Sequence, residues 1–290
     1  MATPKTIQIF LPTGNPRGLR VAEITTRIVR LIEVPRSLLD EFLKMPEAQQ
    51  VGLYFLVGQA DEEAIPKLYV GQSGTVATRL TQHNQSKDFW TRALVAVSLT
   101  NSLTQTHATF LEWHCIGQAK QAGRYGLENA NAGSKPHTPA PLEADCLEIF
   151  DTIRVLSATL GQPIFEPLAK PASETGEKEL FFCTAAGTNA RGEYTPEGFV
   201  VLKGSLGRKE NLPSIVGTSS ERFRAKLIQS NVMAEDGERV VFQKDYLFNS
   251  PSMAAVAVLG RTANGWDTWK SIAGKTLGEL KRQSNDQASN

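Results

Sequence analysis

Residues 51–58 read VGLYFLVG and residues 67–71 read KLYVG, two apolar runs separated by the turn-rich QADEEAIP. Each run is too short for a helix. Short apolar runs bounded by turn residues read as strands, and two so close together pair as a hairpin with a long loop. A helical pattern, GTVATRLTQHN, follows at once over 74–84. Strand, loop, strand, helix is the most restrictive pattern in the chain. It predicts an α+β fold, a small central sheet with helices packed on it.

The rest of the chain is read around that unit. TIQIF (6–10) alternates as a strand, and PTGNPRG follows as a turn. LRVAEITTRIVRLIEVP fits strand or helix, and PRSLLDEFLKM reads as a short helix opening on Pro35. Helices are expected over 104–122 and 143–160, with the loop YGLENANAGSKPHTPAP between them. AKPASETGEKE (169–179) is polar and aperiodic, the composition of a linker. Beyond it come short strands, a helix at SSERFRAKLIQSNVM, a strand at RVVFQKDYLF and a second α+β module. The expected divisions are an N-terminal extension 1–50, a first domain 51–168, a linker 169–179, a C-terminal module 180–284 and a tail 285–290.

Composition excludes some classes. Hydrophobic residues at 41% and charged residues at 21% are those of an ordinary soluble globular protein. No apolar run reaches the roughly 18 residues of a membrane span, and MATPKTIQIF lacks the apolar core of a secretory signal. A cytoplasmic setting with no membrane partner is expected. The cysteines Cys115, Cys146 and Cys183 are far apart and in no CxxC pair, which argues for buried thiols rather than disulfides or a zinc site. The net charge of +1 conceals an acidic segment: residues 141–190 hold three basic against eight acidic side chains. Mildly basic flanks permit a nucleic-acid partner without requiring one.

The chemistry-bearing residues gather around the hairpin. Alternation sends Gly52 and Tyr54 to one sheet face. Tyr69 and Gly71 end the second strand. Arg79 and His83, at i and i+4, stack on one side of the helix that follows. Glu112 falls among Ala108, Ile116 and Ala119 on the next helix, a carboxylate inside an apolar stripe. A buried acid without a cation is costly, so Arg79 or a metal ion is expected beside it.

In order and context these residues resemble the GIY-YIG nuclease family, with GLY for the first triplet and YVG for the second. Tyr54, Tyr69, Arg79, His83 and Glu112 match its motif position by position. Leu53 and Val70 depart from it by aliphatic exchanges at core positions. The family also carries an Asn after the Glu helix, here Asn129 or Asn131, with Asn129 preferred. The resemblance covers about residues 51–166. It implies phosphodiester hydrolysis to a 5′-phosphate and a 3′-hydroxyl, with Mg²⁺ (or Mn²⁺) held by Glu112. Arg79, a planar fork of donors, suits the phosphoryl oxygens. Tyr54 is the implied base, with His83 as its rival, and Tyr69 orients water or donates to phosphate.

Three further patterns lie outside this group. His107 and His114 lie two helical turns apart, about 10 Å, too far for one ion. GTNARG lacks the Lys-Ser/Thr ending of a phosphate loop. SPSMAAVAVLGRTANGWDTWK (250–270) has a Ser-Pro helix start, an apolar helix, a turn, and Trp266 and Trp269 at i, i+3. This stretch resembles modules found beside GIY-YIG nucleases and is similar to the core of RAMA-type domains, which are linked with restriction and adenine methylation. Arg261, Trp266 and Lys270 are its candidate DNA contacts.

The expectation is therefore a Mg²⁺-dependent DNA endonuclease serving restriction or phage defence. A homodimer would let one site per chain cut both strands. The competing expectations are a non-catalytic DNA-binding or regulatory protein on the same scaffold, and a nuclease for RNA or branched repair intermediates.

Overall fold

The computed structural model describes residues 3–59, 63–130, 133–169 and 179–282. Asn131, residues 170–178 of the expected linker and the tail 285–290 lie outside them. The chain divides into two compact units, Met1–Asp61 with Ile65–Glu166, and Pro167–Asn290 with the short piece Glu62–Ala64. Both are mixed α+β.

In chain order the first unit has strands β1 (Ile7–Phe10), β2 (Arg20–Ile24) and β3 (Val29–Pro35), helix α1 (Leu39–Phe42), strands β4 (Gly52–Gly58) and β5 (Lys67–Ser73), and helix α2 (Val76–Ser86). Strand β6 (Arg92–Ser98), helix α3 (Gln105–Ala122), strand β7 (Gly126–Leu127) and helix α4 (Ala140–Thr159) complete it. The strands form one sheet in the order β1-β2-β3-β6-β4-β5-β7. Neighbours are antiparallel except β5 and β7. The first 50 residues are therefore not an extension beside the domain. They supply three of its strands, and the ambiguous stretch LRVAEITTRIVRLIEVP is the hairpin β2–β3. Its turn closes through the Arg27 N–H on the Ile24 carbonyl at 2.9 Å.

Alternation along β4 builds two cores. Leu53 and Phe55 face α3 and α4 together with Leu68, Val70, Leu94 and Ala96. Tyr54 and Leu56 face the other way, against Phe42 of α1, Val76 and Leu80 of α2, and Trp90. Each fully buried Leu or Phe contributes about 1.5–3 kcal/mol, so a strand buried on both faces, such as β4, anchors both layers. Glu33 of β3 is also fully buried. It is held by Arg20, directly opposite on β2, and by Arg92 Nη1 at 3.1 Å. At the start of α3 the Thr104 side chain and the His107 ring form a capping box, with His107 Nδ1 accepting the Thr104 N–H at 3.1 Å. His114 packs against Phe110 and, edge-on, Phe150. The two histidines thus have separate structural tasks.

The second unit runs β8 (Leu180–Cys183), β9 (Ala190–Thr195), β10 (Gly198–Val201), β11 (Leu206–Arg208), α5 (Ser219–Gln229), β12 (Met233–Asp236) and β13 (Arg239–Phe242). It continues through β14 (Tyr246–Phe248), α6 (Pro251–Leu259), α7 (Gly265–Thr268), β15 (Lys270–Ser271) and α8 (Leu277–Lys281). Its sheets have the orders β14-β10-β9-β8-β15 and β11-β13-β12. The expected helix at SSERFRAKLIQSNVM stops at Gln229, because Asn231 takes a left-handed φ of 52° and Met233 joins β12. RVVFQKDYLF is two strands, not one. Helix α6 is buried along most of its length. The Ser250 hydroxyl caps it by accepting the Met253 N–H at 3.2 Å, and Gly260 ends it at φ 64°. Arg224 lies fully buried, its guanidinium donating to the main-chain carbonyls of Ala257, Arg208 and Glu210 and to the Asn211 side chain. Among the described residues no helix is long and apolar enough to cross a membrane.

Candidate active site

The register of β4 on β5 sets the site. Tyr54 lies directly across from Gly71, and Leu56 across from Tyr69. The Tyr54 ring lies over the glycine: a Cβ built on Gly71 would sit 2.3 Å from Tyr54 Oη and 2.4 Å from Cζ. No side chain fits there. The glycine that ends the KLYVG run is thus demanded by the tyrosine of the opposite strand.

Helix α2 brings the next groups. Val76 and Leu80 anchor it in the core, and His83, one turn beyond Leu80, is buried at 7% exposure. Its Nε2 lies 3.0 Å from Tyr54 Oη. The His83 ring is 5.0 Å from the Tyr69 ring, edge-on, and the two tyrosine rings are 6.3 Å apart. His83 Nδ1 is buried with no hydrogen-bond partner among the described residues. Lys87, one turn after His83, places Nζ 4.4 Å from the centre of the Tyr69 ring, a cation–π contact.

Protonation follows from burial. The Tyr54 phenol is pushed well above its usual range, first by burial and then by Tyr69, with the charge and hydrogen bond of Arg79 working against the rise. His83 is pushed down to about 4, first by burial and then by the positive charges of Lys87 and Arg79. Both groups are neutral at neutral pH. A phenol donating to Nε2 leaves the imidazole proton on Nδ1, the atom without a partner.

Glu112 comes from α3, which packs on the other side of the sheet. Its neighbours Ala108, Ile116 and Ala119 are buried, whereas Glu112 is half-buried. Burial raises its carboxyl pKa. The Gln72 main-chain N–H, next to Gly71, and the charge of Arg79 oppose that rise. Arg79 itself is exposed and donates to Gln82 Oε1 at 3.0 Å. Its charge acts on Tyr54, His83 and Glu112 alike.

Asn129 does not join them. Its Oδ1 accepts the Val70 N–H at 2.9 Å and its Nδ2 donates to the Val70 carbonyl at 2.8 Å. Both ends of the amide are spent on the main chain of β5, so Asn129 continues the pairing that β7 makes with Lys67 and Leu68. It braces the strand that carries Tyr69 and Gly71, which is where the structure places the Asn expected at the site. Lys87 was not foreseen. Its signal was available, as the third cation-capable residue of the i, i+4 series Arg79, His83, Lys87.

In the second unit the two tryptophans part. Trp269 is fully buried, packs tilted against Phe199 with ring centres 4.4 Å apart and donates Nε1–H to the Pro251 carbonyl at 3.0 Å. Trp266 is half-exposed, meets Tyr194 edge-on at 5.6 Å, and carries the Arg282 guanidinium 3.9 Å above its ring. Arg261 turns back on the carbonyl of its neighbour Thr262, and Lys270 is exposed on β15. The three candidate contacts have separate surroundings.

Among the described residues no three of His, Cys, Asp and Glu converge as a metal cluster. A family model described as a domain of unknown function (DUF4357) matches residues 181–281. No curated protein and no solved structure matches the chain.

Proposed function

We propose that the first unit is a phosphodiesterase site of the GIY-YIG nuclease type, acting as a Mg²⁺- or Mn²⁺-dependent DNA endonuclease. The observation that carries this reading is the 3.0 Å contact between Tyr54 Oη and His83 Nε2, with Tyr69 packed against the imidazole. Arg79 and Glu112 lie within electrostatic reach of the same phenol.

Arg79 has the donors and the exposure to take two non-bridging oxygens of a phosphodiester. The attacking water gives its proton to Tyr54 Oη while the phenol passes its own to His83 Nε2. A standing phenolate is disfavoured by burial, so a relay through the neutral phenol suits these protonation states better. His83 at about 4 is a weak base in the free protein. The negative charge of an arriving phosphate raises it, so substrate itself brings the base toward its working range. The O–P bond from water forms, the P–O3′ bond breaks, the leaving 3′ oxygen takes a proton from solvent water, and a 5′-phosphate and 3′-hydroxyl result.

The donor set fits a hard divalent cation. Glu112 is a single carboxylate whose burial is only partly offset by the Gln72 N–H and Arg79. It would hold the ion, leaving the other positions to water and phosphate. When bound, the ion supplies Lewis acidity and positive charge at the phosphoryl and leaving oxygens. Restriction or phage defence in the cytoplasm, by a homodimer that cuts both strands, is the setting we attach to this reading.

The test is end analysis on labelled duplex DNA, single-stranded DNA, RNA and branched DNA with Mg²⁺. The reading predicts cuts in duplex DNA that leave a 5′-phosphate. Cuts confined to RNA or junctions would replace the substrate class, and no cuts on any substrate would favour a binding protein on this scaffold.

A further inference from the structure

Residues 270–276 of the second unit, KSIAGKT, form a tight hairpin. The Gly274 N–H donates to the Ser271 carbonyl at 2.9 Å and the Ser271 N–H to the Lys275 carbonyl at 2.8 Å. Lys270 bridges Thr276, and Gly274 has φ +80°. These bonds fix the tip. At the second position of that turn stands Ile272, 93% exposed. Turns favour Pro or polar residues at this position, and an isoleucine in water adds nothing to the fold. Two exposed lysines, Lys270 and Lys275, flank it.

Behind the tip is an open cavity of about 480 Å³, lined by Phe182, Thr184 and Lys270 among others, with no carboxylate in its wall. The Ser271 hydroxyl is buried in its wall with no hydrogen-bond partner among the described residues. Glu279, held below the usual carboxylate range first by its hydrogen bonds with Thr276 and then by the charges of Lys275 and Lys270, accepts the Thr276 N–H at 2.7 Å. An apolar tip between two cations, over a wall of hydroxyls, fits a polyanion with a stacked apolar interior. Duplex DNA has both, and proteins that enter its minor groove use apolar wedges of this kind.

We propose that this hairpin is a DNA-contact element in which Lys270 and Lys275 take backbone phosphates and Ile272 wedges between base pairs from the minor groove. The choice of DNA rests on the reading of the first unit.

The test is fluorescence anisotropy of the full chain on a labelled duplex, in chelator so that the DNA stays whole. A second duplex carries 2-aminopurine at a flexible TA step and reports unstacking. Ile272→Ala is expected to weaken binding at least about tenfold, the scale of burying one aliphatic side chain, and to abolish the aminopurine rise. Its salt dependence stays that of the parent. The double variant Lys270→Gln, Lys275→Gln is expected to lower the slope of log K against log salt by about 2, near 0.9 per phosphate contact. Circular dichroism checks the fold of each. Parent-like affinity and unstacking in Ile272→Ala, or an unchanged salt slope in the double variant, overturns the proposal. A parent that binds through the loop but cuts nothing in Mg²⁺ overturns the nuclease reading alone. A parent that cuts duplex DNA while the variants bind as it does overturns the loop alone.

Discussion

Single residues decide whether the site exists. Gly71 leaves room for the Tyr54 ring, with 2.3 Å between a built Cβ and Oη. Gly71→Ala should therefore displace the phenol, cost about 1–3 kcal/mol by overpacking, and lower cleavage together with stability. Tyr54→Phe keeps the packing and removes only the hydroxyl. Cleavage should fall about 10²–10⁴-fold, with a denaturation midpoint near the parent's. His83 gives a pH test. Its folded pKa, about 4, lies below the ordinary 6.5, so the unfolded chain binds the proton first. The stability tied to His83 is complete above pH 6.5 and declines as pH falls from there toward 4. Urea midpoints at pH 7.5 and 5 should differ less in His83→Gln than in the parent. An equal drop in both would place the proton elsewhere. Tyr54, Tyr69, Arg79, His83 and Glu112 could all be named from the sequence. The reason for Gly71 could not, because it lies in the register of the opposite strand.

At the scale of elements, the hairpin and α2 were legible because apolar runs, turn residues and helical spacing agree there. Strand β6, RALVAVS, is an apolar run buried on both faces as β4 is, but no second run across a turn marks it as half of a hairpin, so the sequence leaves it unread. The hairpin β2–β3 stayed ambiguous for want of a Gly or Pro at its turn. Asn129 shows a different limit. Its place after α3 suggested chemistry, whereas its amide imitates a strand. Asn129→Ala removes two hydrogen bonds to β5 and should cost about 1–3 kcal/mol. The Val70 amide should then exchange with solvent much faster, and protection equal to the parent's would contradict this role. In the second unit, Trp269→Ala should cost about 3–5 kcal/mol, against under about 1 kcal/mol for Trp266→Ala. Paired chemical denaturation separates core from surface tryptophan, which i, i+3 spacing alone did not.

At the scale of the molecule, the boundary near residue 167 follows a change in composition, since polar aperiodic sequence begins there. The membership of residues 1–50 was hidden, because sheet order is set by long-range pairing that local periodicity does not encode. The result is two units with different proposed tasks, a catalytic cluster in the first and a DNA-contact hairpin in the second. The central claim is that the first unit cuts DNA with a cation held by Glu112. Supercoiled plasmid should be nicked or linearised by the parent in Mg²⁺, and left intact on chelation and by Glu112→Gln at equal fold content. Cleavage that persists in Glu112→Gln, or a folded parent that never cuts in Mg²⁺ or Mn²⁺, would contradict it.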